Sequence, residues 1–306
     1  MGSFPYFVVY VCLAVFLVAV IVRFFKWSRM PMHMRWELYP VAHEGKKASY
    51  GGSYLEESKW WQKKREVSLF GELKVMVPEI LFLVALKEHN KKLWTWSFPF
   101  HFGLYLVGMT TVLLMIGGLL TAFELLPPVT LVIGTIVPVT GGIGLVLGIF
   151  GAFGLFMRRR GRELRDYTAP ADLLNLVLFV VVFGVSVVAL ILDPSFSVVS
   201  AFVANLVTFS MAPVEATGLA ATMTLVSAVM LALLTAYIPL THMSHFVGKY
   251  FAYHAIRWND EPNLRGGDQE GKINELLNKP ITWSAPHIQG DGKKTWLDAA
   301  TEEVKK

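Results

Sequence analysis

The sequence predicts an all-α integral membrane protein: a five-helix transmembrane bundle with its N-terminus outside, a cytoplasmic loop carrying an interfacial helix, and an irregular C-terminal tail. Three observations lead there. Of 306 residues, 54% are apolar and 17% charged, with a mean hydropathy of +0.49, which is too apolar for a water-soluble domain of this size. Stretches long enough to cross a hydrocarbon core of roughly 30 Å fall near 5–25, 100–123, 129–157, 171–192 and 219–247. All 28 Lys and Arg fit on one side of such a bundle, 14 of them in 23–92, five in 158–165 and nine from 249 onward. The positive-inside rule places that side in the cytoplasm.

Taken in order, the bundle occupies 1–250 and the partner-binding tail 251–306. Residues 5–25 have the apolar length of a secretory leader but lack a basic n-region and a small-residue cleavage site, so a retained helix is expected, followed by Arg23, Lys26 and Arg29. The loop 26–99 is long and charged. Within it, 75–86 is apolar but too short to span, and it carries Pro78 and Glu79. It is expected to be an interfacial or re-entrant helix on the cytoplasmic face, leading into Trp94 and Trp96 at headgroup level. Residues 197–213 are apolar between Asp193-Pro194 and Pro213, and a short helix on the outer surface suits them. The tail has turn signals at Gly266-Gly267 and Gly290-Asp291-Gly292; too small to hold its own core, it is expected to strap onto a partner.

Composition also removes several kinds of chemistry. The single cysteine, Cys12, lies in an apolar run, which excludes an internal disulfide, a Cys-ligated zinc site and an iron–sulfur cluster. There is no CxxCH for covalent haem attachment. The net charge of +5 comes from helix-end residues, so it reports topology and not nucleic-acid binding. No repeat of broken helices supports a transporter, and mid-membrane ionisable residues are nearly absent.

Histidine is the informative residue. The helix containing His101 is expected to enter from the cytoplasm near residue 100, placing His101 in its first turn. The antiparallel helix 219–247 ends on that side, with His242 and His245 in its last two turns. Two imidazoles at one depth on antiparallel helices suit the axial positions of a haem b, which asks only for such nitrogens and an apolar slot. Gly103, Gly108 and Ser244 would let the macrocycle approach the backbone. The competing reading is that these histidines merely sit among headgroups. His242 and His245 are three apart, and spacing alone does not choose between them. His33 and His43 could ligate a second haem or line a quinone pocket, as could His242; for the two loop histidines the plainer reading is a solvated side chain. His254 is expected to continue the last helix into water and face a partner. Outside, Glu124, Asp193 and Glu215 are the acidic residues that could accept protons released from a quinol, or simply solvate helix ends.

SFPFHFGLYL around His101 and AYIPLTHMSHFVGKY around His245, within an N-out five-helix plan, resemble the respiratory nitrate reductase gamma-subunit superfamily of membrane cytochromes b. RWELYPVAHE at 35–44 and YFAYHAIRWNDEP at 250–262 are similar to the branch that serves dissimilatory sulfite reductase-linked and heterodisulfide-reductase-type transmembrane complexes. The resemblance implies that His101 and His245 hold the haem nearer the cytoplasm. Where the family takes histidines for its second, outer haem, this chain has Thr111 and Ser227. One haem b is therefore expected, and a second would need other ligands, among which the thioethers of Met109, Met115, Met223 and Met230 are at the right level.

The resemblance further implies a subunit that transfers electrons between menaquinone or menaquinol and a cytoplasmic iron–sulfur subunit of the heterodisulfide-reductase type, with further membrane and periplasmic cytochrome c subunits as companions. The basic loop and tail, with Trp60, Trp61 and Trp283 as anchors, are the expected docking surface. The alternative from a different class is a cofactor-free membrane anchor for a catalytic partner.

Overall fold

The computed structural model describes residues 2–30, 40–64, 67–285 and 288–302. His33, Arg35 and His287 lie outside this set. The helices are α1 (Phe4–Ser28), α2 (Gly45–Ala48), α3 (Leu69–Phe82), α4 (Val84–His89), α5 (Lys91–Ala122), α6 (Pro127–Arg160), α7 (Pro170–Leu192), α8 (Ser197–Val207), α9 (Gly218–Tyr237), α10 (His245–Phe251), α11 (Asp268–Leu277) and α12 (Trp296–Thr301). Among the described residues the only β-type pairing is an isolated bridge between Pro280 and Thr295. Five helices are long and apolar enough to cross a membrane: α1, α5, α6, α7, and α9 with its terminal turn to Leu240. The chain divides into two compact units, one of Met1–Val18 and Met76–Thr241, the other of Ala19–Val75 and His242–Lys306.

In the first unit, α5, α6, α7 and α9 pack in that order, and α8 bridges α5 and α9. Glycine sets the closest contact. A Cβ added at Gly103 would lie 2.5 Å from the Gly148 nitrogen, and one added at Gly151 would lie 2.3 Å from the Phe100 nitrogen. Without side chains at these points the two backbones approach directly, which suits helices that have no hydrophobic drive to associate in lipid. Gly103 therefore serves helix packing, not the approach of a macrocycle. Gly108 has nothing within 4 Å of such a Cβ.

Polar groups inside this bundle bond across it. Thr110 and Thr140 hydroxyls lie 2.8 Å apart, Ser227 donates to Ser186 at 2.7 Å, and Tyr237 donates to Asn175 Oδ1 at 2.9 Å. At one end, Tyr6 and Tyr10 of α1 donate to the carbonyls of Ala212 and Leu206, and Tyr6 stacks on Phe202 with ring centroids 4.5 Å apart. These contacts anchor the short apolar helix α8, which falls inside the expected 197–213.

The expected interfacial segment 75–86 is two helices. Pro78 is accommodated within α3, and the chain turns at Leu83 in a left-handed conformation (φ 52°) before α4. The Glu79 carboxylate accepts from the Ala85 N–H at 2.8 Å, while Trp94 and Tyr105 of α5 donate to the Phe82 and Ile80 carbonyls. Free main-chain groups at the break are thus satisfied from α5.

In the second unit the loop and the tail share a core. Phe24 meets Phe251 at 5.2 Å, and Gly248 lies so close to Trp27 that a Cβ there would be 2.9 Å from the indole. Trp258 and Ile281 are buried. The tail is more ordered than expected: Ile281 N–H donates to Lys294 O at 2.8 Å, and Thr295 and Asp298 cap α12 reciprocally.

Candidate functional site

His101 lies deeper in its helix than the apolar pattern indicates. Asn90 caps α5 by accepting from the Leu93 N–H at 3.0 Å, so the helix starts at Lys91 and not near 100. His101 is then about 15 Å along the axis from the first residue, at 1.5 Å per residue, instead of in the first turn. Its Nδ1 is 2.7 Å from the Ser97 carbonyl and 3.3 Å from the Ser97 hydroxyl. A carbonyl only accepts, so Nδ1 carries the proton and the Nε2 lone pair becomes the metal-binding one. That donor chemistry fits an axial position on a porphyrin iron.

The predicted helix 219–247 is broken, which corrects the placement of His242 and His245 in its last two turns. The α-helix ends at Tyr237, Ile238–Leu240 form a tight 3-10 turn around Pro239, and Thr241 is extended (φ −109°, ψ −177°). Pro239 has no N–H to continue the ladder and its ring crowds the carbonyl of the previous turn. His242–Ser244 form another 3-10 turn, and His245 opens α10. The two histidines therefore do not share one helical face. His245 keeps an exposed edge, yet its pKa lies below the ordinary histidine value: protein atoms around the ring strip water from the cation, and Lys249 and His242 add like charge against a hydrogen bond at the His242 backbone.

His43 is not a solvated loop residue. It is 5% exposed; its Nε2 donates to Asp260 Oδ2 at 2.5 Å, and its Nδ1 is 3.8 Å from Glu72 Oε1. His254 follows on the same carboxylate, with Nε2 3.5 Å from Glu72 Oε2 and Nδ1 donating to the Tyr250 carbonyl at 3.0 Å. Its ring stacks on Tyr250 at 4.2 Å, so His254 turns inward to this network instead of projecting into water. Glu44 is buried beside it and accepts from Ser53 at 2.7 Å. The order Asp260–His43–Glu72–His254 joins the motifs around 43 and 254. Among the described residues no group of three or more His, Cys, Asp and Glu is arranged to hold a metal ion.

Thr111 and Ser227 line one cavity inside the first unit, together with Thr110, Ser186, Thr224 and Asp193. None of Met109, Met115, Met223 and Met230 lines it, and Met109 and Met115 are exposed. Asp193 accepts from the Ser195 and Ser197 hydroxyls and from the Val198 N–H at 2.8 Å, holding the start of α8. Burial alone would raise its pKa, but these donors outweigh it and hold the carboxylate below its usual range. Glu124 and Glu215 are exposed at helix ends, Glu124 with φ 54°.

The Asp260–Glu72 pair of partners and the hydroxyls of Ser186 and Thr224 are absent from the sequence-based expectations. Asp260 lay within the quoted motif at 250–262, but nothing in its spacing pointed to His43. The chain matches no protein-family model, no curated protein and no solved structure.

Proposed function

We propose that this chain is the haem b subunit of a respiratory membrane complex, passing electrons between a menaquinone-type quinone and a cytoplasmic iron–sulfur subunit of the heterodisulfide-reductase type. The observation that carries the reading is His101, whose Nδ1–H is fixed on the Ser97 carbonyl so that Nε2 is the ligating nitrogen. A second feature in keeping with the reading is that α5 and α9 are joined mainly through α6, α7 and α8. His101 and His245 are the residues that would hold the haem iron, His245 following α9 directly in the chain. When bound, the haem would supply the one-electron chemistry that no side chain here can supply. The protein's own part is to orient the imidazoles and exclude water with the aromatic and aliphatic walls of the bundle. In this reading the basic loop and tail face the cytoplasm and dock the partner.

The test is a reduced-minus-oxidised spectrum and a pyridine haemochrome assay on the purified chain, with His101→Ala and His245→Ala beside wild type. One haem b per wild-type chain, lost in either variant, supports the proposal. A wild-type chain without a Soret band refutes it and leaves the membrane-anchor reading.

A further inference from the structure

The cavity bounded by α5, α6, α7, α8 and α9 has a volume of about 90 Å³ and is open on one side. Its walls are Leu, Val and Ala side chains, but its polar groups are unusually well defined in sense. Thr110 donates to the Leu106 carbonyl at 2.8 Å, Thr111 to Val107 at 2.9 Å and Ser186 to Val182 at 2.9 Å; Ser227 donates to Ser186. Each hydroxyl has spent its one proton, so what it offers a ligand is a lone pair. Asp193, at the α8 end, adds carboxylate oxygen to the same acceptor set. Thr224 is the exception: it is 6% exposed, lines the cavity, and its hydroxyl has no hydrogen-bond partner among the described residues. On the cavity wall, that hydroxyl keeps its proton available to a ligand group.

We infer that this cavity binds the dihydroxy ring of a lipid-soluble quinol, in preference to the oxidised quinone. A ring edge enters the cavity against its polar wall, the rest of the ring lies across the open side, and the apolar tail leaves past the exposed Thr111. An engineered apolar cavity of about 150 Å³ takes up a benzene, so this smaller one accepts only part of a ring. The preference follows from hydrogen-bond sense: two ligand hydroxyls can donate to Ser227, Thr111 or Asp193, whereas a quinone carbonyl finds a single donor, Thr224. The ligand's identity as a quinol rests on the electron-transfer reading above; the acceptor-rich character of the cavity does not.

The experiment is anaerobic equilibrium binding of a short-tailed naphthohydroquinone, and separately its quinone, to the full chain in lipid nanodiscs, with empty nanodiscs subtracted. Wild type is expected to bind one quinol per chain at least about tenfold more tightly than the quinone, corresponding to two or so net hydrogen bonds. Thr224→Val and Ser227→Ala together should weaken quinol binding about tenfold, and Ala228→Phe, which fills the cavity, should abolish it. His101→Ala should leave quinol binding in place while removing haem, so the two proposals fail separately. Binding no greater than to empty nanodiscs, equal affinity for both redox forms, or indifference to both cavity variants overturns the inference, whatever the haem spectrum shows. Haem absent with quinol bound refutes the cytochrome reading alone.

Discussion

His43 Nε2 lies 2.5 Å from Asp260 Oδ2 across 217 residues of sequence, and both side chains are almost fully withdrawn from water. A hydrogen bond between an imidazole and a carboxylate in such a place contributes less to net stability than its geometry suggests, because desolvation opposes the attraction; removing one side chain is another matter, since the other then stays buried without this bond. His43→Ala or Asp260→Ala should destabilise the joined loop and tail by about 1–3 kcal/mol. The double substitution His43→Leu/Asp260→Leu should recover much of that. Limited proteolysis of the tail from Arg257 onward, with thermal unfolding in detergent, reads the effect. A tail cleaved no faster in the single variants than in wild type would count against the pair as a structural tie.

The glycines of α5 and α6 give a sharper contrast, because two positions of the same type are predicted to behave in opposite ways. Gly151→Ala places a Cβ against the Phe100 main chain, which cannot rotate aside, and should cost about 1–3 kcal/mol through helix separation. Gly108→Ala meets nothing within 4 Å and gains helix propensity of up to about 1 kcal/mol, so it should be neutral or mildly stabilising. Melting temperatures of the two variants in one detergent check the ranking.

The five long helices were legible in the sequence because apolar length alone decides spanning. Their ends were less legible. Pro99 and Pro138 sit inside α5 and α6, whereas Pro239 ends α9. The same residue type has two outcomes because a spanning helix tolerates proline when neighbours satisfy the freed carbonyl, and that depends on packing no single sequence displays. His101 was legible as a candidate because a polar ring in an apolar run stands out. The bond from its Nδ1 to Ser97 follows from helical geometry, but the start of α5 at Lys91 depended on the Asn90 cap. The His43–Asp260 pair was not legible at all, since local periodicity carries no information about partners so distant in the chain.

Pro239 offers a test of how the break after α9 matters. Pro239→Ala restores the missing N–H and removes the ring clash, worth about 3 kcal/mol in a helix interior, so the helix should run on through Thr241 and carry His242 and His245 to new directions. On the proposed axial role of His245, haem content per chain should fall by more than half, read by pyridine haemochrome, while Pro138→Ala in mid-helix should leave it unchanged. Retention of full haem in Pro239→Ala would argue that the break does not present His245.

Asp193 carries a pH dependence whose sign can be worked out. Its folded pKa is depressed, so the unfolded state binds the proton more readily. The associated stabilisation is complete above the unfolded value of about 3.9 and is lost as pH falls through the lower folded value. Asp193→Asn retains one oxygen for the donors of Ser195, Ser197 and Val198 but removes the charge, and should cost about 0.5–1 kcal/mol near neutral pH, in the lower range for an N-terminal cap. Thermal unfolding of wild type and Asp193→Asn should therefore give a constant gap from pH 7 down to about 5 that closes below about 4. A gap that widens on acidification would mean that Asp193 is protonated in the folded protein, and the carboxylate would then be a proton carrier at the α8 end of the bundle and not the fixed acceptor described above.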